Sequence, residues 1–223
     1  MITKQAKKIK IVPTLLTHSL AEFKDKLGKS EKYFSLVQID IMDKKFVDNK
    51  TYFDLEHIRK IKSYKGDYEL HLMVKNPLAV IKKWERFKKV KKIIFHYEAM
   101  KDDTAVFDLI KYLQKKKILA GLAINPETPV NKIIKFLPEL DLVFLLGVEP
   151  GWGGQLLKSD VLNKAKRIRL QYPKLDIELD GGVNMNNLPR IINSGVNIIA
   201  AGSLIYTSPD IDKTIAQIKK LEK

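Results

Sequence analysis

The chain of 223 residues has no cysteine, and this absence removes several kinds of chemistry at once. Disulfide bonds, a thiolate nucleophile and a cysteine-ligated zinc site are all excluded. A protein without thiols is compatible with a reducing compartment, and we predict a cytoplasmic location.

Long apolar runs are also absent. The segment 142–148 is among the longest, and it is far too short to span a bilayer. Lys4, Lys7, Lys8 and Lys10 interrupt the first residues of the chain, so the apolar core of a secretory signal is not visible there. We therefore expect no membrane partner.

Acidic residues are few relative to basic ones: 26 against 41, which gives a formal net charge of +15. Several of the lysines, among them Lys82, Lys83, Lys88 and Lys89, lie on or just after an amphipathic helical pattern at 77–88. That arrangement is typical of a solvated outer surface. Since no nucleic-acid-reading motif is present, we expect no nucleic-acid partner. A positive field does raise the rate of encounter with phosphorylated small molecules.

Apolar strand patterns alternate with amphipathic helical patterns along the whole chain. The predicted strands are residues 9–15, 36–42, 68–73, 93–97, 119–124, 142–147, 175–179 and 197–201. The predicted helices are residues 20–33, 54–64, 77–88, 104–116, 129–136, 158–172, 186–194 and 210–223. This strict alternation predicts an α/β protein, a single (β/α)8 TIM barrel that forms one domain over residues 1–223.

The last three predicted strands each end in a glycine-rich turn. The sixth strand runs into Pro-Gly-Trp-Gly-Gly-Gln at 150–155. Glycine lets backbone amides approach an anion closely, and the last loops of an α/β barrel commonly form a phosphate site. The residues predicted to form this site are Gly151, Gly153, Gly154, Gly181, Gly182, Gly202 and Ser203. We interpret the serine as a phosphate donor, not a nucleophile, because no histidine and aspartate accompany it.

Polar residues in the predicted strands are the candidates for chemistry. Gln38, Asp40 and Met42 occupy alternate positions of the second strand and so share one face. A buried carboxylate is costly unless it is paired or bound to a metal, which favours a catalytic or ligand role for Asp40. His71, on the adjoining strand, is then interpreted as a metal ligand. Asp180 ends the seventh strand, across the barrel from Asp40.

Two carboxylates that face each other across a pocket suit the inversion of a carbon stereocentre. One removes the proton from one face of the carbon, and the other returns a proton to the opposite face. The enediolate formed beside a carbonyl needs positive charge near its oxygens, which a divalent metal held by aspartate and histidine would supply.

With these motifs in order, the chain resembles the ribulose-phosphate 3-epimerase family over nearly its whole length. The motifs that carry the resemblance are IVPTL at 11–15, QIDIMD at 38–43, HLM at 71–73, NPETP at 125–129, VEPGWGGQ at 148–155, LDGGV at 179–183 and AAGS at 200–203. The resemblance implies a TIM barrel that interconverts ribulose 5-phosphate and xylulose 5-phosphate. It also implies one bound divalent ion (zinc, iron or manganese) and a homo-oligomer.

By position, the resemblance implies a role for each matching residue. Asp40 and Asp180 become the acid/base pair and also metal ligands, with His71 as a third ligand and a substrate contact. Thr14 and Trp152 join the predicted phosphate residues as substrate contacts. An apolar cap over the reacting carbons corresponds to Met42, Met73 and Leu146.

Two departures from the family pattern leave alternatives open. Gln38 stands where the family's metal site has a histidine, and Lys44 and Lys45 stand in the following loop where the family has glycine and histidine. Gln38 is then a weaker ligand, or a water takes its place, in an epimerase with altered metal preference. Alternatively, the enzyme acts on a hexulose phosphate such as allulose 6-phosphate, or the barrel is a non-catalytic phosphosugar or anion binder. A further hypothesis is that Lys44 or Lys45 replaces part of the metal's charge.

Overall fold

Residues 7–221 are described by the computed structural model, in which eight parallel strands close into a barrel. The strands are β1 (Lys10–Leu15), β2 (Leu36–Met42), β3 (Asp67–Met73), β4 (Val90–His96), β5 (Leu119–Ile124), β6 (Leu142–Leu146), β7 (Asp176–Asp180) and β8 (Ile198–Ala201). Each strand pairs with the next along the chain, and β8 pairs with β1 so that Ile199 lies opposite Ile11. The predicted barrel is confirmed.

The α-helices of the described residues follow the strands on the outside of the barrel. They are α1 (Leu20–Ser30), α2 (Leu55–Ile58), α3 (Pro77–Trp84), α4 (Asp103–Lys115), α5 (Asp160–Gln171), α6 (Leu188–Asn193), α7 (Ser203–Tyr206) and α8 (Ile211–Lys219). Side-chain caps explain several of the starts: Ser19, Asn76, Asp102 and Asp210 each accept a hydrogen bond from a backbone amide three residues ahead. None of the helices in this part of the chain is long and apolar enough to cross a membrane.

Three predicted helices differ from the structure. The pattern at 129–136 forms two 3-10 helices, Val130–Lys132 and Ile134–Glu139, and Pro138 inside the second cannot donate an α-helical hydrogen bond. The pattern at 54–64 stops after one turn, since the chain bends inward to bury Tyr64 against Tyr68. The last predicted helix is helical to Lys219, and its end at 222–223 lies outside the described residues.

The interior of the barrel contains a layer of charge that the sequence analysis did not predict. Glu69, Lys92 and Glu178 are all buried, on β3, β4 and β7. The Lys92 Nζ atom lies 2.7 Å from the Glu69 carboxylate and 3.1 Å from that of Glu178. Burial, and then the charge of Glu69, raise the pKa of Glu178 well above its ordinary value. This cluster lies one inward-facing position below His71 and Asp180, so it forms the base on which those two residues rest.

Candidate active site

A cavity of about 410 Å³ opens where the carboxyl ends of the strands meet. This is the end of a (β/α)8 barrel at which active sites form. The predicted site residues that line the cavity are Thr14, Asp40, Met42, His71, Met73, Leu146, Gly151, Trp152, Gly153, Gly154, Asp180, Gly181, Gly182, Gly202 and Ser203. Gln38 lies deeper, with no exposed surface, beneath the two aspartates. The fold therefore brings residues from six strands and the loops that follow them around one cavity.

The two predicted acid/base residues lie side by side at the bottom of this cavity. The Gln38 Nε2 group donates hydrogen bonds to Asp40 Oδ1, at 2.9 Å, and to Asp180 Oδ2, at 3.0 Å. His71 Nδ1 lies 3.0 Å from Asp40 Oδ1 and 3.9 Å from Asp180 Oδ2. The Gln38 amide thus links the two carboxyl groups by hydrogen bonds, and the His71 ring is within hydrogen-bond distance of Asp40. The two aspartates belong to β2 and β7, which are separated in the barrel by β1 and β8.

The electrostatics of the pair suit proton transfer near neutral pH. Burial raises the pKa of Asp40 to about 7, and burial together with the charge of Asp40 raises the pKa of Asp180 to about 7. A general acid or base works best when its pKa is near the working pH. Close to pH 7, one carboxyl can therefore hold a proton while the other accepts one.

A divalent ion fits the donors present. Asp40, His71 and Asp180 each offer a ligand atom, and these atoms all lie within 4.8 Å of one another. Gln38 Oε1 is buried and has no hydrogen-bond partner, while the Nε2 group of the same amide faces the carboxylates. Rotating the amide by half a turn would exchange Oε1 and Nε2 and turn the oxygen toward the place where an ion would bind. Gln38 can thus complete the set with a neutral oxygen, a harder ligand than imidazole nitrogen.

The glycine-rich loops leave open space in the lining of the cavity. Gly151 and Gly154 have positive φ angles, 116° and 78°, that other residues rarely adopt. A Cβ atom placed on Gly153 or Gly154 meets nothing within 4 Å, so both face empty space. On Gly202 it would lie 2.5 Å from Thr14 Oγ1, which explains the need for glycine there. These glycines therefore line the cavity without side chains of their own.

The predicted apolar cap divides into two groups. Met42 and Met73 pack together with Val47, and Leu16 and Phe46 lie against them. Leu146 instead belongs to a second cluster that includes Ile94 and Phe144, inside the barrel. All three cap residues still line the same cavity.

Lys44 and Lys45 do not reach the acid pair. Both side chains are exposed, and neither lines the cavity, so the structure does not support a charge-replacing role for them. A cation that the sequence analysis missed, Lys26 of α1, does line it. Its Nζ atom donates to Leu16 O at 2.6 Å and lies 5.6 Å from the centre of the Tyr206 ring. No signal in the sequence separated Lys26 from the other lysines of α1.

His96 and Glu98 are two further residues that the sequence analysis did not assign to the site. Two other histidines of the chain, His18 and His57, are exposed. His96 is fully buried, and its Nε2 atom lies 2.9 Å from His71 Nε2. Its Nδ1 atom lies 3.3 Å from Glu98 Oε2. His96 is therefore in direct contact with a candidate metal ligand.

Solved structures with a similar fold support the architecture. The α-subunit of tryptophan synthase from Pyrococcus furiosus, a mutant, matches with a TM-score of 0.71 and 14% identity over 97% of this chain and 99% of that one. A 3-hexulose-6-phosphate synthase matches with a TM-score of 0.67 and 16% identity over 96% and 98%. At these identities the likeness concerns the fold alone. Fold and site together define the class of the protein: a (β/α)8 barrel with a cavity that contains two carboxyl groups at the carboxyl ends of its strands.

Sequence relatives narrow that class. The model of the ribulose-phosphate 3-epimerase family matches residues 10–206. The ribulose-phosphate 3-epimerase of Bacillus subtilis is 34% identical over 95% of this chain and 98% of its own length. That of Schizosaccharomyces pombe is 31% identical over 94% and 92%. The chain belongs to the ribulose-phosphate 3-epimerase family, and the prediction that it is an isomerase is confirmed.

Proposed function

We propose that the protein inverts carbon 3 of a ketopentose phosphate and so interconverts D-ribulose 5-phosphate and D-xylulose 5-phosphate. The observation that carries the proposal is that Asp40 and Asp180 both line one cavity, each about 3 Å from the same Gln38 amide nitrogen, together with open glycine loops. The family of the chain agrees with this substrate.

The reaction needs one ionised and one protonated carboxyl group. The ionised aspartate removes the proton from carbon 3, beside the carbonyl, and an enediolate forms. The protonated aspartate then delivers its proton to the opposite face of the same carbon. Two groups with pKa values of about 7 can exchange these roles, so the reaction runs in both directions.

Asp40, Asp180 and His71, with Gln38 after rotation of its amide, are the residues that would hold a divalent ion such as zinc, iron or manganese. An ion held there would supply positive charge near the oxygens of the enediolate. In the orientation of the structure, before any such rotation, the fully buried Gln38 amide instead donates to both carboxyl groups from below.

The substrate is bound by its charged end and covered at its reacting end. We assign the phosphate to the amides around Gly153, Gly181 and Gly202, with Lys26 as a nearby positive charge. Met42 and Met73 cover the reacting carbons. Their side chains have no acidic hydrogen that could protonate the enediolate.

Exchange of the carbon-3 hydrogen with solvent deuterium tests the proposal directly. We expect the wild-type protein to exchange it in D-ribulose 5-phosphate, and Asp180→Asn to slow exchange by about 10³-fold, as expected for the loss of a general acid/base. The matched control is Asp176→Asn, at the other end of β7, which we expect to exchange at the wild-type rate.

Two other outcomes would contradict the proposal. Faster turnover of allulose 6-phosphate than of ribulose 5-phosphate would identify a hexulose-phosphate enzyme. Binding of phosphosugar without any exchange would identify a non-catalytic binder.

A further inference from the structure

A single lysine side chain lies in the wall of the cavity, where the other formally charged side chains are acidic. Of the aspartate, glutamate, lysine and arginine side chains in residues 7–221, those that line the cavity are Asp40, Glu149, Asp180 and Lys26. A phosphate monoester carries a charge of about −1.5 to −2 at pH 7. Without Lys26, such a ligand would therefore meet only negative charge from these side chains.

Three contacts hold the Lys26 ammonium group at the cavity. Its Nζ atom donates to the Leu16 backbone oxygen at 2.6 Å and lies 2.8 Å from Glu22 Oε1, one turn earlier on α1. The centre of the Tyr206 ring lies 5.6 Å from the same atom, close enough for a cation–π interaction. An ammonium group has three N–H donors, and these two oxygens take two of them, so one remains for a ligand.

The same contacts place Lys26 beside one of the predicted phosphate loops, the loop after β8. Leu16 lies two residues after Thr14, and a Cβ atom on Gly202 would be 2.5 Å from Thr14 Oγ1. Tyr206 ends α7, the short helix that begins directly after Gly202. The ammonium group and the loop after β8 therefore belong to the same part of the cavity wall.

We propose that Lys26 donates its third N–H to the phosphate group of the substrate and makes the protein selective for the phosphorylated sugar over the free sugar. The identity of the sugar rests on the proposed function; the contact itself does not, because inorganic phosphate in this part of the cavity would meet the same ammonium group. A hydrogen bond between two charged groups is about twice as strong as one between neutral groups.

Binding of inorganic phosphate, measured by calorimetry on the purified protein, tests the contact itself. Lys26→Gln removes the positive charge and keeps an amide N–H. We expect this variant to lower phosphate affinity roughly 10- to 100-fold, as for the loss of a hydrogen bond between charged groups. Lys26→Arg, which restores the charge, should recover most of that affinity. Unchanged affinity in Lys26→Gln would overturn the proposal.

The matched control is Lys29→Gln, on the next turn of α1. Lys29 pairs with Asp25 at 2.6 Å and does not line the cavity, so this variant should bind phosphate like the wild type. Phosphate binding that depends on Lys26, in a protein without carbon-3 exchange, would contradict only the epimerase function. Normal exchange with an unchanged KM in Lys26→Gln would contradict only the phosphate contact.

A purely structural role for Lys26 predicts a different result. The ammonium group would then only tie the loop after β1 to α1 through the Leu16 oxygen, and its loss would affect phosphorylated and free sugars alike. The comparison is kcat/KM for carbon-3 hydrogen exchange in D-ribulose 5-phosphate and in D-ribulose. Lys26→Gln should lower the first value roughly 10- to 100-fold, mainly through KM, and the second by less than about threefold. An equal loss with both sugars would overturn the proposal.

Glu22→Gln gives a test of opposite sign and covers the case in which Lys26→Gln does not fold. It removes the charge that pairs with Lys26 but keeps an oxygen for the His18 backbone amide, which Glu22 Oε2 accepts at 2.8 Å. Phosphate affinity should rise by up to about fivefold, because the ammonium group loses a competing partner. Asp25→Asn, which frees Lys29 instead, should change nothing. Unchanged or lower affinity in folded Glu22→Gln would show that the ammonium group does not contact phosphate.

Discussion

At the scale of single residues, Gln38 has the largest consequence for chemistry. Its amide is fully buried and donates to both aspartates, and its oxygen has no partner. An orphaned buried acceptor is unusual, because leaving one unpaired costs about 1–3 kcal/mol. If the rotated amide oxygen joined Asp40, Asp180 and His71, the set would be three oxygens and one nitrogen, which would suit a harder ion such as manganese better than a set with two imidazoles would.

Gln38→His should therefore change the metal preference. We expect zinc affinity to rise by roughly tenfold or more, and manganese affinity to change less, because imidazole suits zinc better than an amide oxygen does. Competition titrations against a chelator measure both affinities. Gln114→His, at an exposed position on α4, controls for an added surface histidine. Equal zinc affinity in Gln38→His and wild type would show that residue 38 is not a ligand.

Asp180 should also make the stability of the metal-free protein depend on pH. Its pKa rises from an ordinary value of 3.8 to about 7 on folding, so the folded state binds the proton more tightly. Stability is then highest below about pH 4 and is lost as the pH rises through about 7. One pKa unit corresponds to about 1.4 kcal/mol, which limits the effect to roughly 4 kcal/mol.

Denaturant unfolding in the presence of a chelator, from pH 4 to 8, measures this dependence. Asp180→Asn should become more stable relative to the wild type as the pH rises. Asp176→Asn should show no such trend above about pH 4, because folding lowers the pKa of Asp176 from its ordinary value of 3.8. Burial raises the pKa of Asp176, but Lys7 and Asn197 outweigh that effect and hold it below its ordinary value, so its stabilising effect is lost as the pH falls. Parallel trends for the two variants would contradict the assignment.

At the scale of elements, the ends of the strands position the polar side chains of the candidate site, and the loops after the strands leave room for a ligand in the cavity. Alternate residues of one strand have different tasks: Glu178 faces the charged layer of the barrel, and Asp180, two residues on, faces the cavity. The loop after β6 then supplies the open backbone of Gly153 and Gly154.

Gly153→Val should separate binding from folding. A Cβ atom there meets nothing within 4 Å, so the fold should tolerate the side chain, which would fill the cavity instead. We expect KM for the phosphorylated substrate to rise by about tenfold or more, with an unchanged Tm, because the amide contacts to phosphate are blocked. Gly28→Val, at another glycine with open space around it, should leave KM unchanged. Unchanged KM in Gly153→Val would place the phosphate elsewhere.

At the scale of the whole molecule, the barrel encloses a buried charged layer that holds β3, β4 and β7 together. Lys92 is the only cation within 4 Å of the Glu69 and Glu178 carboxyl groups among the described residues. Its removal would leave two buried acids without a partner. Breaking a buried ion pair in this way typically costs 3–5 kcal/mol.

Lys92→Met should accordingly destabilise the protein by about 3 kcal/mol or more, measured as the free energy of unfolding in denaturant. Lys91→Met, at the neighbouring exposed position of β4, should cost less than about 1 kcal/mol, because Lys91 forms a long surface ion pair, 3.8 Å, with the partly exposed Asp67. If both variants are equally stable, the charged layer does not contribute to the stability of the barrel.

The amino-acid sequence by itself determined the barrel and the candidates for its site. Strand and helix patterns are local, with periods of about two and 3.6 residues, so their order can be read without coordinates. The glycine turns and Asp40, His71 and Asp180 were identified for the same reason: each stands at the end of, or inside, a strand pattern. The local pattern did not predict the type of helix at 129–136, where the structure has 3-10 helices and Pro138 lies inside the second of them.

Only the tertiary structure decided which of these residues touch. Gln38 and Asp180 are separated by 142 positions along the chain, and His71 and His96 by 25, yet each pair is joined by a hydrogen bond. The tertiary structure also decides that Lys26, and neither Lys44 nor Lys45, lines the cavity, because α1 places Lys26 beside Tyr206. Contacts of this kind depend on the register and closure of the eight strands, which bring distant residues within about 3 Å and remove the water that would otherwise separate them.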